Sequence, residues 1–242
     1  MAARTLLLKL QAQGWIALPE PGMKSPTRWG RRPQAVPEQA LEESGLEGSL
    51  GSVAPLGIEA VSRLGRDRRR AQLEACLERY HDLGYRSRVG QNLQYWVEER
   101  AGHPLGCVVF GAAAWPCAVR DQWIGWTAAQ RARHLPRLVN NTRFLIFPWV
   151  RVPHLASPIL GRVSRRIGAD WRAKYGQPID LLETFVERHR FTGRSYRAAH
   201  WIGLGRTQGR GRPGGPEPSM TIKEVYVYPW HRRFRQHLNS SD

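Results

Sequence analysis

The stretch that most constrains the fold of this chain spans residues 138–176. It opens with the polar Asn140-Asn141-Thr142-Arg143, runs through apolar residues 144–147, stops at Pro148, and passes by a loop into a segment with helical periodicity. Ser157 supplies an N-cap and Pro158 the favoured first helical residue. Leu160, Val163, Ile167 and Trp171 share one face, Arg162, Arg165, Arg166, Arg172 and Lys174 the other, and Gly176 ends the segment. Residues 180–187 then read as a second strand with Glu183 inside it. Strand, helix and strand in this order form a right-handed crossover, whose loop lies at the carboxyl end of a strand, where open α/β sheets place their ligands.

The rest of the chain supports an α/β domain with a mixed central sheet and flanking helices. Residues 4–19 read as a short helix closed by Gly14 and a brief strand, the remnant of a small winged-helix-like module (1–19). Residues 20–62, rich in Pro, Gly, Ser, Glu and Arg without period, read as a flexible linker. The α/β domain is expected to fill 63–242. It opens with five arginines (63, 66, 68, 69 and 70) before a helix carrying Leu73, Cys76, Leu77, Tyr80 and Leu83 on one face. Residues 91–100 and 104–115 form a predicted hairpin whose second strand is apolar on both faces and so central, with Gly111 marking close packing. Thr127 and Gln130 match a capping box for a helix to about residue 139, with His134 on its surface. Residues 188–194 form a basic loop, 195–200 a short helix, 201–207 a strand, 208–218 a Gly- and Arg-rich loop, and 221–228 a last strand before a basic tail.

Charge narrows the partner. The formal net charge is +17, which favours a polyanion, nucleic acid before an anionic membrane surface. With only four lysines, 33 of the 37 basic residues are arginine, a choice that composition bias alone explains; the scarcity of acids it does not explain. Arg165, Arg166, Arg194, Arg206, Arg210 and Arg212 are the candidate phosphate contacts. Three cysteines without a CxxC pair predict reduced thiols in a cytoplasmic protein, and no apolar run approaches the length of a spanning helix. Asp121 beside Arg120, with Asp180 or Glu183, is the weakest candidate for a metal-assisted nuclease, since ion pairing is the commoner fate of such an acid.

Several motifs resemble the Druantia anti-phage system protein A (DruA) family: Tyr80-His81-x-Leu-Gly-Tyr85, Gly111-Ala-Ala-Ala-Trp115, Arg120-Asp121-x-Trp-Ile-Gly-Trp126, Asn140-Asn-Thr-Arg-Phe-Leu-Ile-Phe-Pro148, Glu183-Thr-Phe185 and Gly193-Arg-Ser-Tyr196. The resemblance covers about residues 72–229 and implies a setting, anti-phage defence with other defence-system proteins as partners, without a particular reaction. A transposase-accessory role that binds DNA without catalysis is the alternative. The order of elements is more distantly similar to that of GCN5-related acetyltransferases (GNAT). That resemblance implies that Arg151, Ala156 and Ser157 would face the pyrophosphate of an acyl-CoA-like ligand, though the loop has Pro153, His154 and Ala156 in place of the family's glycines. It also implies acid–base roles for Tyr196, at the place of that fold's frequent general-acid tyrosine, and for Glu183. An acid inside an apolar strand must be paired, and Arg143 is the expected partner of Glu183.

Overall fold

The computed structural model describes residues 11–15, 43–61, 68–85, 90–208 and 222–240. The chain divides into two compact units, residues 1–36 and 37–242. In the first, the described residues end a helical turn: Gly14 adopts φ +72° and its N–H donates to the Gln11 carbonyl at 2.9 Å, as its place in the sequence predicts.

The second unit is built on a seven-stranded sheet. Its strands are β2 (Gly57–Ala60), β3 (Asn92–Glu98), β4 (Pro104–Ala112), β5 (Leu138–Ile146), β7 (Leu181–Glu187), β8 (Ile202–Arg206) and β9 (Lys223–Pro229), in the order β2-β3-β4-β5-β7-β9-β8. Every neighbouring pair is antiparallel except β5 and β7. A separate parallel pair joins β1 (Leu46–Glu47) to β6 (Val150–Arg151). Strands therefore occupy the second half of the span that composition assigns to a linker. Ile58 and Ala60 pack on the core there, a non-local pairing with β3 that no local pattern announces.

Side chains alternate across the sheet, and each face has its own cover. Val139, Leu182 and Tyr226 face a large cluster with α1 (Arg68–Tyr80) and α4 (Ala156–Tyr175). Leu138, Leu181 and Val227 face a smaller one with α2 (Ala118–Ile124) and α6 (Phe234–Leu238). Leu160, Val163, Ile167 and Trp171 of α4 are wholly buried, as the helical spacing predicts. The Thr127–Gln130 capping box is present and opens α3 (Ala128–His134).

Several local expectations change. The Asn140–Arg143 segment is strand rather than lead-in, and α3 gives way at Leu135 to a 3-10 turn where Pro136 interrupts the helical ladder. His134 is buried, not on the surface, with Nε2 3.0 Å from the Ser240 carbonyl. Leu83 lies past the end of α1 and is 54% exposed. Helix α4 begins at Ala156 with Leu155 as N-cap, so Ser157 is inside the first turn and its hydroxyl donates to the His154 carbonyl instead of capping. At Gly106 of β4 a Cβ would run into the Leu145 carbonyl. The basic tail forms α6, anchored by Phe234 and Leu238 at helical spacing. Among the described residues no helix is long and apolar enough to cross a membrane.

Candidate functional site

The site arises where two parallel strands part. β5 and β7 pair only through Leu138–Leu181, Val139–Leu182 and Asn140–Glu183. Beyond these residues β5 remains bonded to β4 alone and β7 to β9 alone, so a wedge opens between them. A bulge starts it. Val109 of β4 faces Arg143 while Phe110 faces Asn141, which leaves Thr142 as the extra residue. The bulge is held by side chains: Asn141 Nδ2 donates to the Val109 and Arg143 carbonyls, each at 3.1 Å, and Thr142 Oγ1 donates to the Val109 carbonyl at 3.2 Å. This is why a strand interior carries Asn-Asn-Thr.

The wedge encloses a cavity of about 290 Å³. Its floor is a hydrogen-bonded group. Tyr196, on α5 (Arg194–Ala198), donates its hydroxyl to Asn141 Oδ1 at 2.6 Å, and Thr184 Oγ1 donates to the Asn141 carbonyl at 3.0 Å. The loop after α1 forms one lip and residues 190–193 the other, and the Arg190–Asp82 ion pair joins them at 2.6 Å. Four cations line the cavity, Arg143, Arg190, Arg194 and Lys223, against two carboxylates, Asp82 and Glu187. Burial, then the Arg143 charge, holds His81 below the ordinary histidine range, so it is neutral at pH 7. Its Nδ1 accepts the Leu83 N–H at 3.2 Å, which places its proton on Nε2.

Burial pushes the Tyr196 hydroxyl up to about 12. It is a proton-bearing donor throughout the physiological range. An unfolded tyrosine ionises near 10, so the stability tied to its neutral form is complete below about pH 10 and is lost as pH rises towards 12. A phenolate absorbance titration of wild type minus Tyr196→Phe is expected to show one tyrosine ionising near 12; one ionising near 10 would contradict the buried hydrogen bond.

The structure brings Arg143, Tyr196 and Arg194 to the cavity and places the other predicted residues elsewhere. Glu183 does not pair with Arg143. It shares the α2 face of the sheet with Leu181, whereas Arg143 reaches the loop after α1, donating to the Gly84 carbonyl at 3.1 Å. The partner of Glu183 is Arg120 on α2, at 2.6 Å. Arg120 is fully buried and also donates to Asp121 at 2.7 Å and to the Trp115 carbonyl at 3.1 Å, while Arg131 meets Asp121 at 3.3 Å. Burial raises the Glu183 carboxyl and the Arg120 charge opposes that rise. Asp121 and Glu183 are thus ion-paired with arginine, the commoner fate of such acids. Asp180, His231 and His237 each bring one ligand atom within 4.8 Å of the others, but the Asp180 carboxylate is already held by Arg137 and by His237 Nδ1.

Arg151, Ala156 and Ser157 do not line the cavity. Arg151 pairs with Glu47 at 3.2 Å, β1 lies along β6, and Pro158 removes a donor from the first turn of α4. Arg151 is therefore engaged by an exposed carboxylate, and the first turn of α4 has one N–H fewer to offer a pyrophosphate. Arg165 is exposed on α4 and Arg166 is committed to Asp170 at 2.8 Å and the Ile58 carbonyl at 2.6 Å. Arg206 is exposed on β8, and Arg210 and Arg212 lie outside the described residues, as do Arg63 and Arg66. Sequence pattern alone gives no role to His81, Asn141, Thr184 or Phe191, although the first three lie inside the resembling motifs.

The hairpin, the crossover with its parting strands and the short helix bearing Tyr196 define an α/β domain with a mixed seven-stranded central sheet and flanking helices. Residues 9–213 match the family model described as Druantia protein DruA, and the chain belongs to that family. No curated protein matches the sequence. Among solved structures it is similar to the Vibrio cholerae spermidine N-acetyltransferase in complex with CoA and spermine, at 10% identity and a TM-score of 0.45, covering 72% of this chain and 95% of that one. The dodecameric form of the Vibrio cholerae enzyme in an intermediate state gives 10%, 0.42, 77% and 98%, in the same order. At these values the likeness is one of chain path alone.

Proposed function

We propose that this protein recognises nucleic acid in anti-phage defence, with the wedge between β5 and β7 as the recognition site. The observation that carries the reading is the excess of cations around the hydrogen-bonding cavity, within a chain of net charge +17. Arg194 lines the cavity and is exposed, and Arg188, exposed and 3.8 Å from Glu224, lies two residues before the lining Arg190. Phosphates supply affinity that falls with salt, while His81, Ser195 and the Thr184 and Tyr196 oxygens can distinguish what enters the cavity. Fluorescence anisotropy of labelled DNA and RNA across a salt series tests this. Binding should weaken linearly in log–log form, and Arg188→Glu with Arg194→Glu should lower the slope by about 1 for each phosphate no longer neutralised. Salt-independent binding, or an unchanged slope in the double variant, removes the proposal.

A second reading, group transfer within the wedge, is favoured by the Tyr196 hydroxyl, a fixed donor at the cavity floor. Calorimetric titration with acetyl-CoA decides it: saturable binding supports transfer from a thioester held away from the start of α4, and its absence removes that donor.

A further inference from the structure

The shape and chemistry of the wedge specify the form of nucleic acid, an inference that rests on the reading just given. The cavity, at about 290 Å³, sits at the small end of the range for single small ligands, roughly 300–1,000 Å³. It is concave and lies behind two lips, so a base still stacked and paired in a duplex cannot reach its floor. The floor and walls offer both senses of hydrogen bond. His81 carries a proton on Nε2 and Ser195 a hydroxyl, while Tyr196 and Thr184, whose protons go to Asn141, present acceptor oxygens, which matches the mixed donor and acceptor edge that a base exposes only when unpaired.

The lips carry the remaining parts of a single-strand site. Phe191 lines the cavity and is 54% exposed, and Leu83, on the facing lip, is also 54% exposed. Two large apolar side chains in water at one opening are ill-explained by packing and are suited to the two faces of a flat ring. The Arg190 guanidinium lies 5.8 Å from the Phe191 ring centre, and Arg188 and Arg194 flank it in sequence, so cations alternate with the aromatic along one loop. That interleaving is the pattern by which stacking platforms and phosphate contacts are combined on single strands. The only ion pair that joins the lips among the described residues, Arg190–Asp82, is more than a third exposed on both sides, so parting it costs little.

We propose that the wedge takes one unpaired nucleobase, stacked between Phe191 and Leu83 at the mouth and read by His81, Ser195 and the hydroxyl oxygens of Thr184 and Tyr196 within, with the backbone phosphates on Arg188 and Arg194.

The test uses the full chain and three oligonucleotides of one sequence carrying 2-aminopurine: single-stranded, duplex with the probe unpaired in a one-base bulge, and fully paired duplex. At one fixed salt concentration the single strand and the bulge should bind roughly 5- to 100-fold tighter than the paired duplex, with probe fluorescence changing on binding only in the first two. Phe191→Ala, at an exposed position, should remove most of that preference. Equal or tighter binding of the paired duplex overturns the inference, as does an unchanged preference in Phe191→Ala. Failure of all three to bind would instead overturn the nucleic-acid reading itself.

Discussion

Replacing Arg120 with methionine is expected to cost about 3–5 kcal/mol of folding stability. Arg120 is 0% exposed and lies between two carboxylates that are themselves buried, Glu183 at 1% and Asp121 at 8%. Removing the guanidinium leaves Glu183 without its charged partner and Asp121 with only the longer 3.3 Å contact from Arg131. The loss comes from stranding those charges, not from losing favourable attraction in isolation, so exchange of all three residues for apolar ones of similar size should cost far less than the single change. Arg120→Lys should fail nearly as badly, because one ammonium cannot reproduce the fork that reaches Asp121, Glu183 and the Trp115 carbonyl together. Urea denaturation reads the effect as a fall in midpoint at constant slope. A change of less than about 1 kcal/mol in Arg120→Met would show that the network is solvated. Arg120 ties α2 to β7 at the last residue before the strands part, so the same network fixes where the wedge begins.

Gly193→Ala is expected to cost about 2–3 kcal/mol and to abolish ligand binding in the wedge. Gly193 has φ +66°, in the left-handed region, and a Cβ there would overlap the Tyr226 phenol. That ring cannot retreat freely, because its hydroxyl donates to Glu224 at 2.7 Å and accepts from Arg197 at 2.7 Å. Gly193 is also the N-cap of α5, the helix that carries Tyr196, and Tyr196 stacks on Tyr226 with ring centres 5.8 Å apart. The substitution therefore moves the cavity floor as well as straining the turn. Thermal unfolding and anisotropy together check it: a lower melting temperature with intact binding would mean that α5 keeps its place and that the floor does not depend on this glycine.

What can be read from the sequence follows the range of the forces involved. The capping box at Thr127 and Gln130 and the buried stripe of α4 are set by contacts within a few residues, and both are present as expected. The wedge is set by distant ones. Asn140–Arg143 looks polar enough to precede a strand, but Asn141 and Thr142 spend their polarity on the Val109 carbonyl across a bulge, so the strand starts at Leu138. Glu183 must be paired, and is; which arginine pairs with it depends on the face to which it turns. In the sequence Arg120 looks occupied by its neighbour Asp121, and only the fold shows its guanidinium reaching Glu183 as well. The helix start at Ala156–Ser157 draws attention because helix N-termini attract anions, yet strand β1, hidden in a segment with linker composition, brings Glu47 onto Arg151. The lips of the cavity come from residues 81–83 and 190–193, over a hundred positions apart in the chain, and no spacing rule connects them.

The proposed contact of nucleic acid with this protein at the wedge is open to a direct test. Photo-crosslinking with a single-stranded oligonucleotide carrying 5-bromouracil, followed by peptide mass spectrometry, locates the contact directly. Adducts are expected in the peptides that hold Phe191 and Tyr196, reduced in Phe191→Ala. Adducts confined to the arginine face of α4, around Arg162, Arg165 and Arg172, would contradict the claim.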